Sequence, residues 1–155
     1  MTDYHLPPSL EEYEAAITGW LHGFADGNDL VEAIDRGDPA DSAEPRWYVR
    51  LKGEEKEHIT IWLTLGQRTL RYEAYVLPAP QENVAAVYEA ALRRNDRLVG
   101  AHFAIGIEDA LFLRGELPLA ALNEAELDRV IGSLYQYVEA AFPSLIRLAF
   151  ASKFA

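Results

Sequence analysis

Between Trp47 and Val76 the apolar residues fall on every second position, in three successive runs. Trp47, Val49 and Leu51 alternate with Tyr48, Arg50 and Lys52. Ile59, Ile61, Leu63 and Leu65 alternate with Thr60, Trp62 and Thr64, and Leu70, Tyr72, Ala74 and Val76 alternate with Arg71, Glu73 and Tyr75. A side-chain period of two sends neighbouring residues to opposite faces, so each run reads as a strand with one apolar face. Gly53–Lys56 and Gly66-Gln67 are short polar connections, which makes the three strands an antiparallel meander. One apolar face requires a covering layer, and the flanking sequence supplies helices for it.

The first helix begins after Pro7-Pro8. Ser9 and Glu12 have capping-box spacing, and Leu10, Tyr13, Ile17, Leu21 and Phe24 recur at three- and four-residue steps, with Trp20 beside the stripe, before the helix ends near Asp26. A second helix carries Val84, Val87, Tyr88, Ala91 and Leu92 and closes on Arg93 and Arg94, where the helix dipole favours cations. Val99–Ile107 and Ala110–Arg114 read as two further strands turning near Glu108-Asp109, and Gly115–Pro118 reads as a break. A last helix starts with the capping box Asn123/Glu126. It runs through Leu127, Val130, Ile131, Leu134, Val138 and Phe142, with Pro143 kinking or restarting it before Leu145–Phe150. The expected fold is α+β in the order α-β-β-β-α-β-β-α, a single domain over residues 1–155 with the helices packed on one face of the sheet.

Net charge is −11, and residues 1–44 carry eleven acids against one base, Arg36, so the rest of the chain is close to neutral. Much of that charge lies in a connector, residues 26–45, whose acids recur at every third position: Asp26, Asp29, Glu32, Asp35, Asp38, Asp41 and Glu44. An EF-hand loop does not fit, because Gly27 and Leu30 stand where that pattern needs an acceptor or its glycine. A solvated loop with a short helical turn around Leu30–Ile34 is expected instead. The negative balance argues against nucleic acid as a general partner, since phosphates need a positive field.

Half of the residues are apolar, which excludes a disordered chain, and no cysteine is present, which removes disulfides, thiolate metal sites and cysteine nucleophiles together. Met1–Pro8 lacks the pattern of a signal peptide and no apolar run has the length of a membrane span, so a cytoplasmic protein with no membrane partner is expected. His5, His22, His58 and His102 show no metal-ligand spacing. No serine sits in a Gly-x-Ser-x-Gly elbow, and Gly100–Gly106 lies in a strand and opens no helix. No catalytic residue, metal site or cofactor is therefore assigned.

The alternation leaves one informative surface. With Val49, Ile61, Tyr72 and Phe103 turned to the helices, Tyr48, Arg50, Lys52, Thr60, Trp62, Thr64, Arg71, Glu73, Tyr75 and His102 turn the other way. Aromatic residues and arginine are the side chains that anchor interfaces. Trp62 and Tyr75 are expected to anchor a protein partner or a second copy in a homodimer, with Tyr48 at the margin and Arg50 and Arg71 pairing with acids. In a second reading the acidic connector lies over Arg50, Lys52 and Arg71 as an internal latch. A third reading places a single-stranded nucleic acid or a small ligand on the same face. The apolar pattern of Glu139–Ser152 is a second candidate contact surface.

Several short motifs resemble the YbjN family of bacterial proteins. They are Leu92-Arg93-Arg94-Asn95, His102-Phe103-Ala104, Leu111-Phe112-Leu113-Arg114-Gly115-Glu116-Leu117-Pro118, Leu127-Asp128-Arg129-Val130-Ile131-Gly132 and Phe142-Pro143. They occur in order across roughly residues 10–150, with one departure at Ala110, where glycine is expected at the hairpin turn. The resemblance implies a regulatory role in sensory transduction without known enzymatic chemistry. It also implies a fold similar to type III secretion chaperones, which are small, acidic, usually dimeric and bind an extended segment of another protein.

Overall fold

A computed structural model describes residues 6–154, so His5 lies outside the described residues. Among the described residues three α-helices and six strands follow one another as α1 (Leu10–Ala25), β1 (Val31–Arg36), β2 (Arg46–Lys52), β3 (His58–Leu65), β4 (Thr69–Leu77), α2 (Val84–Asn95), β5 (His102–Ile105), β6 (Leu111–Pro118) and α3 (Glu124–Ala149). All strand pairs are antiparallel, in the order β1-β2-β3-β4-β6-β5. The α+β class and the expected succession of elements hold, with one strand added at the front of the sheet.

That strand, β1, corrects the expectation of a helical turn in the connector. The outer edge of β2 would otherwise present a row of unpaired backbone groups, and Val31–Arg36 pairs with it from Leu51 to Trp47. Ile34 packs against the core, and the Arg36 guanidinium lies 4.6 Å over the Trp47 ring while also pairing with Glu14 of α1. The register slips between Val31 and Ala33, so Glu32 is the extra residue of a bulge.

The inward residues of the strands form one dry layer with the helices. Val49, Ile61, Leu63, Leu70, Ala74 and Leu113 are fully buried, as are Ile17 and Leu21 of α1, Val87 of α2 and Ile131 and Val138 of α3. Both expected capping residues act as such: Ser9 Oγ accepts from Glu12 N at 3.1 Å and Asn123 Oδ1 from Glu126 N at 2.9 Å. Trp47 Nε1 donates to Thr18 Oγ1 at 3.0 Å, which ties α1 to β2.

Four further expectations change in detail. Gly115–Pro118 is not a break: β6 continues to Pro118, paired with β4 as far as Thr69. Glycine is needed at 115 for close approach, because a Cβ there would stand 2.2 Å from Gly100 O and 2.5 Å from the Tyr72 ring. β5 is shorter than Val99–Ile107, and the side chain of Asn95 takes both backbone groups of Phe103, at 2.6 and 3.3 Å, in place of a neighbouring strand. At the β5–β6 turn the positive φ angles fall on Glu108 and Asp109, as in a type I′ hairpin, so extended Ala110 has no need of glycine. Finally, α3 runs unbroken through Pro143. Its residues Val138, Ala141, Leu145 and Ala149 are buried on both sides of the proline, so packing outweighs the one lost hydrogen bond. Much of the apolar pattern of Glu139–Ser152 is thereby used inside the molecule, at Ala141, Leu145, Ala149 and Phe150, while Phe142, Ile146 and Leu148 are only partly covered.

Candidate functional site

Opposite the helices, the sheet presents a face on which side chains from all six strands stand in register. One row runs Asp35, Tyr48, Trp62, Glu73, Arg114 and His102, each the direct cross-strand neighbour of the next. A parallel row carries Arg46, Thr64, Arg71 and Glu116. On the other side of the first row, Arg50 stands beside Thr60, and Tyr75 beside Phe112, whose other neighbour is Ala104. Alternation across several long strands produces these rows, and the pairing register decides which residues meet.

The aromatic side chains form two pairs. Tyr48 and Trp62 stack with centroids 6.2 Å apart and planes within 15°, and Tyr75 meets Phe112 edge-on at 5.6 Å. Burial is the main cause that pushes the Tyr75 hydroxyl above its ordinary pKa, and the nearby Glu108 carboxylate adds to it. At the end of the sheet the Lys56 ammonium lies 5.3 Å from the Tyr75 ring and 5.4 Å from that of Phe142. Burial lowers the Lys56 pKa, and Glu139 works against that shift. The loop bearing Lys56 is pinned from the helix side. The Glu139 carboxylate accepts from the amides of Glu54, Glu55 and Lys56, at 3.0, 2.8 and 3.3 Å, and a Cβ on Gly53 would stand 1.8 Å from Lys56 O.

A groove of about 700 Å³ crosses this face, with Trp62, Arg46, Arg71, Arg114, Glu73 and His102 among its walls. Each of its three arginines meets a carboxylate. Arg114 Nε lies 2.8 Å from Glu73 Oε2, Arg46 reaches the other oxygen of Glu73 at 3.9 Å, and Arg71 pairs with Glu44. A smaller hollow of about 450 Å³ continues along Trp62, Tyr75 and Phe112.

Of the residues expected here, Tyr48 and Trp62 stand together, Tyr75 lies one row away, and Arg50 and Arg71 sit on separate rows at opposite margins. Both arginines already hold acids of the connector: Arg50 lies 3.2 Å from Glu32, and Arg71 is held by Glu44. Glu32 also lies 2.9 Å from Nδ1 of His58. The connector itself runs beside β2 as β1 and does not lie over the face, and only its end, at Ser42 and Glu44, reaches the groove. Sequence reasoning missed Arg46, Arg114, Glu116 and Phe112. Phe112 and Arg114 lay in the expected strand Ala110–Arg114, whose run Leu111-Phe112-Leu113 has no alternation to assign a face, Glu116 lay in the supposed break, and Arg46 lay just before the first alternating residue. Among the described residues no group of three or more His, Asp or Glu is arranged to hold a metal ion, and no helix is long and apolar enough to cross a membrane.

A family profile described as "putative bacterial sensory transduction regulator", that of YbjN, matches residues 20–147. The chain belongs to the YbjN family. An uncharacterised protein of Mycobacterium tuberculosis is 37% identical over 110 residues, covering 71% of this chain and 60% of the relative. A protein of Mycobacterium bovis matches to the same extent, and one of Mycobacterium leprae is 34% identical over 107 residues, or 69% of this chain and 58% of the relative. The chain thus spans about three fifths of the length of these curated relatives. The YbjN match covers all six strands and so every strand residue that lines the groove.

Proposed function

We propose that the chain is a non-enzymatic, cytoplasmic protein-binding module, a regulatory adaptor or chaperone-like protein whose open sheet face receives an extended segment of a partner or a second copy. The observation that carries this reading is the asymmetry of the sheet. One face is closed by three helices, while the other holds Tyr48, Trp62, Tyr75 and Phe112 in two aromatic pairs bordered by arginine and glutamate. Aromatic side chains lose little conformational freedom on docking, and a polar border fixes the register of what docks. The family's regulatory description is in keeping with such a role.

The test compares wild type with the Trp62→Ala/Tyr75→Ala variant, by affinity capture from source-cell lysate and by sedimentation for self-association. A stoichiometric partner, or a dimer, held by wild type and lost from a folded variant is the expected result. Identical capture and identical mass in both would remove this face from the function.

A second reading is favoured by the pairing of Glu32 with Arg50 and Glu44 with Arg71. Here the connector's acids occupy sites that an acidic partner takes over, so the connector acts as a weak latch. Both pairs are solvent-exposed, and each contributes at most about 1 kcal/mol, which suits an exchangeable contact.

A further inference from the structure

The helix layer contains a second groove, and its charge is opposite in sign to that of the chain. Residues Ala90, Arg93, Arg94 and Arg97 share the side of α2 and its following turn that faces α3, and they border a groove of about 410 Å³. The rest of its lining is apolar or aromatic: Leu98, Phe103, Tyr137, Ala140 and Ala141. Three arginines within five residues stand out in a chain of net charge −11.

Their pairing differs from that of the sheet face. There Arg46, Arg50, Arg71 and Arg114 each have a carboxylate partner. In the groove Arg93 is held by Glu89 at 3.0 Å, whereas Arg94 donates to the neutral Ser144 hydroxyl at 2.8 Å. Among the described residues, Arg94 and Arg97 have no carboxylate at salt-bridge distance. The end of α2 does not account for them. A helix C-terminus presents only about half a negative charge. Its last carbonyls are also already taken, Arg94 O by the amide of Arg97 at 3.0 Å and Asn95 O by that of Leu98 at 3.3 Å.

We propose that the α2–α3 groove is a binding site for a small amphiphilic anion. A carboxylate, sulfonate or phosphate head is held by Arg94 and Arg97, and an apolar body lies on Leu98, Phe103 and the alanines. Guanidinium groups present paired donors that match such oxyanions, and the groove has the size and lining of small-molecule sites, apolar with a few convergent polar groups. The groove lies on the opposite side of the sheet from the aromatic face, so the two sites are separable.

The experiment titrates the full chain with 8-anilinonaphthalene-1-sulfonate, an apolar anion that fluoresces on binding, and in parallel with neutral Nile red. Wild type is compared with Arg94→Gln/Arg97→Gln and with Trp62→Ala/Tyr75→Ala, each checked for native circular dichroism. The expected result is saturable sulfonate binding that weakens roughly tenfold or more in the arginine variant, the effect of losing a charge-assisted contact. Nile red binding should be unchanged in that variant, and the sheet-face variant should bind the sulfonate as wild type does. Absence of binding to wild type overturns the proposal. So does an equal affinity in the arginine variant, an equal loss of Nile red, or a loss of sulfonate binding caused by the sheet-face variant instead.

Discussion

The two faces of the sheet are built from the same strands, residue by residue, and differ in how their side chains are satisfied. On the helix face Ile59, Ile61, Leu63 and Leu65 of β3 are buried in the core, and no polar or charged residue is buried among the described residues. On the open face Thr60, Trp62 and Thr64 of the same strand are half-exposed, in rows where each arginine meets a glutamate. The first face holds the fold by area removed from water, and the second adds little stability because its ion pairs are shared with solvent. A surface that contributes so little to folding is free to be shaped by what it contacts, which is why the aromatic pairs matter there.

The sharpest way to break this comparison is to truncate two consecutive residues of β3. Ile61→Ala should cost about 2–5 kcal/mol in urea unfolding, since a fully buried side chain leaves a cavity under α3. Trp62→Ala should cost about 1 kcal/mol, chiefly the loss of stacking on Tyr48. Similar losses from both would erase the distinction between a face that folds and a face that binds.

A smaller effect is expected at Tyr72, a helix-face residue whose hydroxyl donates to Gly100 O at 2.6 Å. Burial is the main cause raising its pKa above the ordinary 10.0, and Glu116 and Glu126 add to the shift while Arg129 opposes it. The sign follows from which state loses its proton first. Below pH 10 the phenol is neutral in both states and its stabilisation is intact. Above that the unfolded chain ionises first, so stability falls as pH rises through the raised folded value. Lys56 runs the other way, because burial lowers its pKa from 10.5 and deprotonation relieves that penalty as pH rises. Tyr72→Phe should therefore cost about 1 kcal/mol at neutral pH and flatten the alkaline decline. An unchanged decline measured between pH 9 and 11.5 would show that Tyr72 is not its source.

The contrast between the faces was legible in the sequence because period two is a local signal. Trp47, Val49 and Leu51 announce an apolar face without knowledge of their neighbours, and the open-face residues follow by alternation. The caps at Ser9 and Asn123 were legible for the same reason. What escaped depends on contacts between distant segments. β1 exists because β2 offers an edge and Ile34 finds the core, and nothing in its six residues declares a strand. Gly115 reads as a breaker until Gly100 and Tyr72 are seen beside it, and without the continued β6 neither Glu116 nor the groove wall it forms has a place. Arg50 and Arg71 were placed on the right face, but their partners Glu32 and Glu44 are fixed by a bulge and a turn that the acid spacing hides.

The smallest expected effect tests whether that connector merely decorates the open face or closes it. Glu44 and Arg71 are both more than a third exposed, so their pairing is solvated and screened. A double-mutant cycle of Glu44→Gln and Arg71→Gln should give a coupling of roughly 0.2–1 kcal/mol that shrinks as salt is raised. With a partner identified by the Trp62/Tyr75 comparison, Glu44→Gln alone should then strengthen binding severalfold, because the partner's acid no longer competes for Arg71. A coupling of about 2 kcal/mol or more would instead make Glu44 a fixed part of the face. Arg71 would then be a structural residue, and the partner's contacts would have to rest on the aromatic pairs alone.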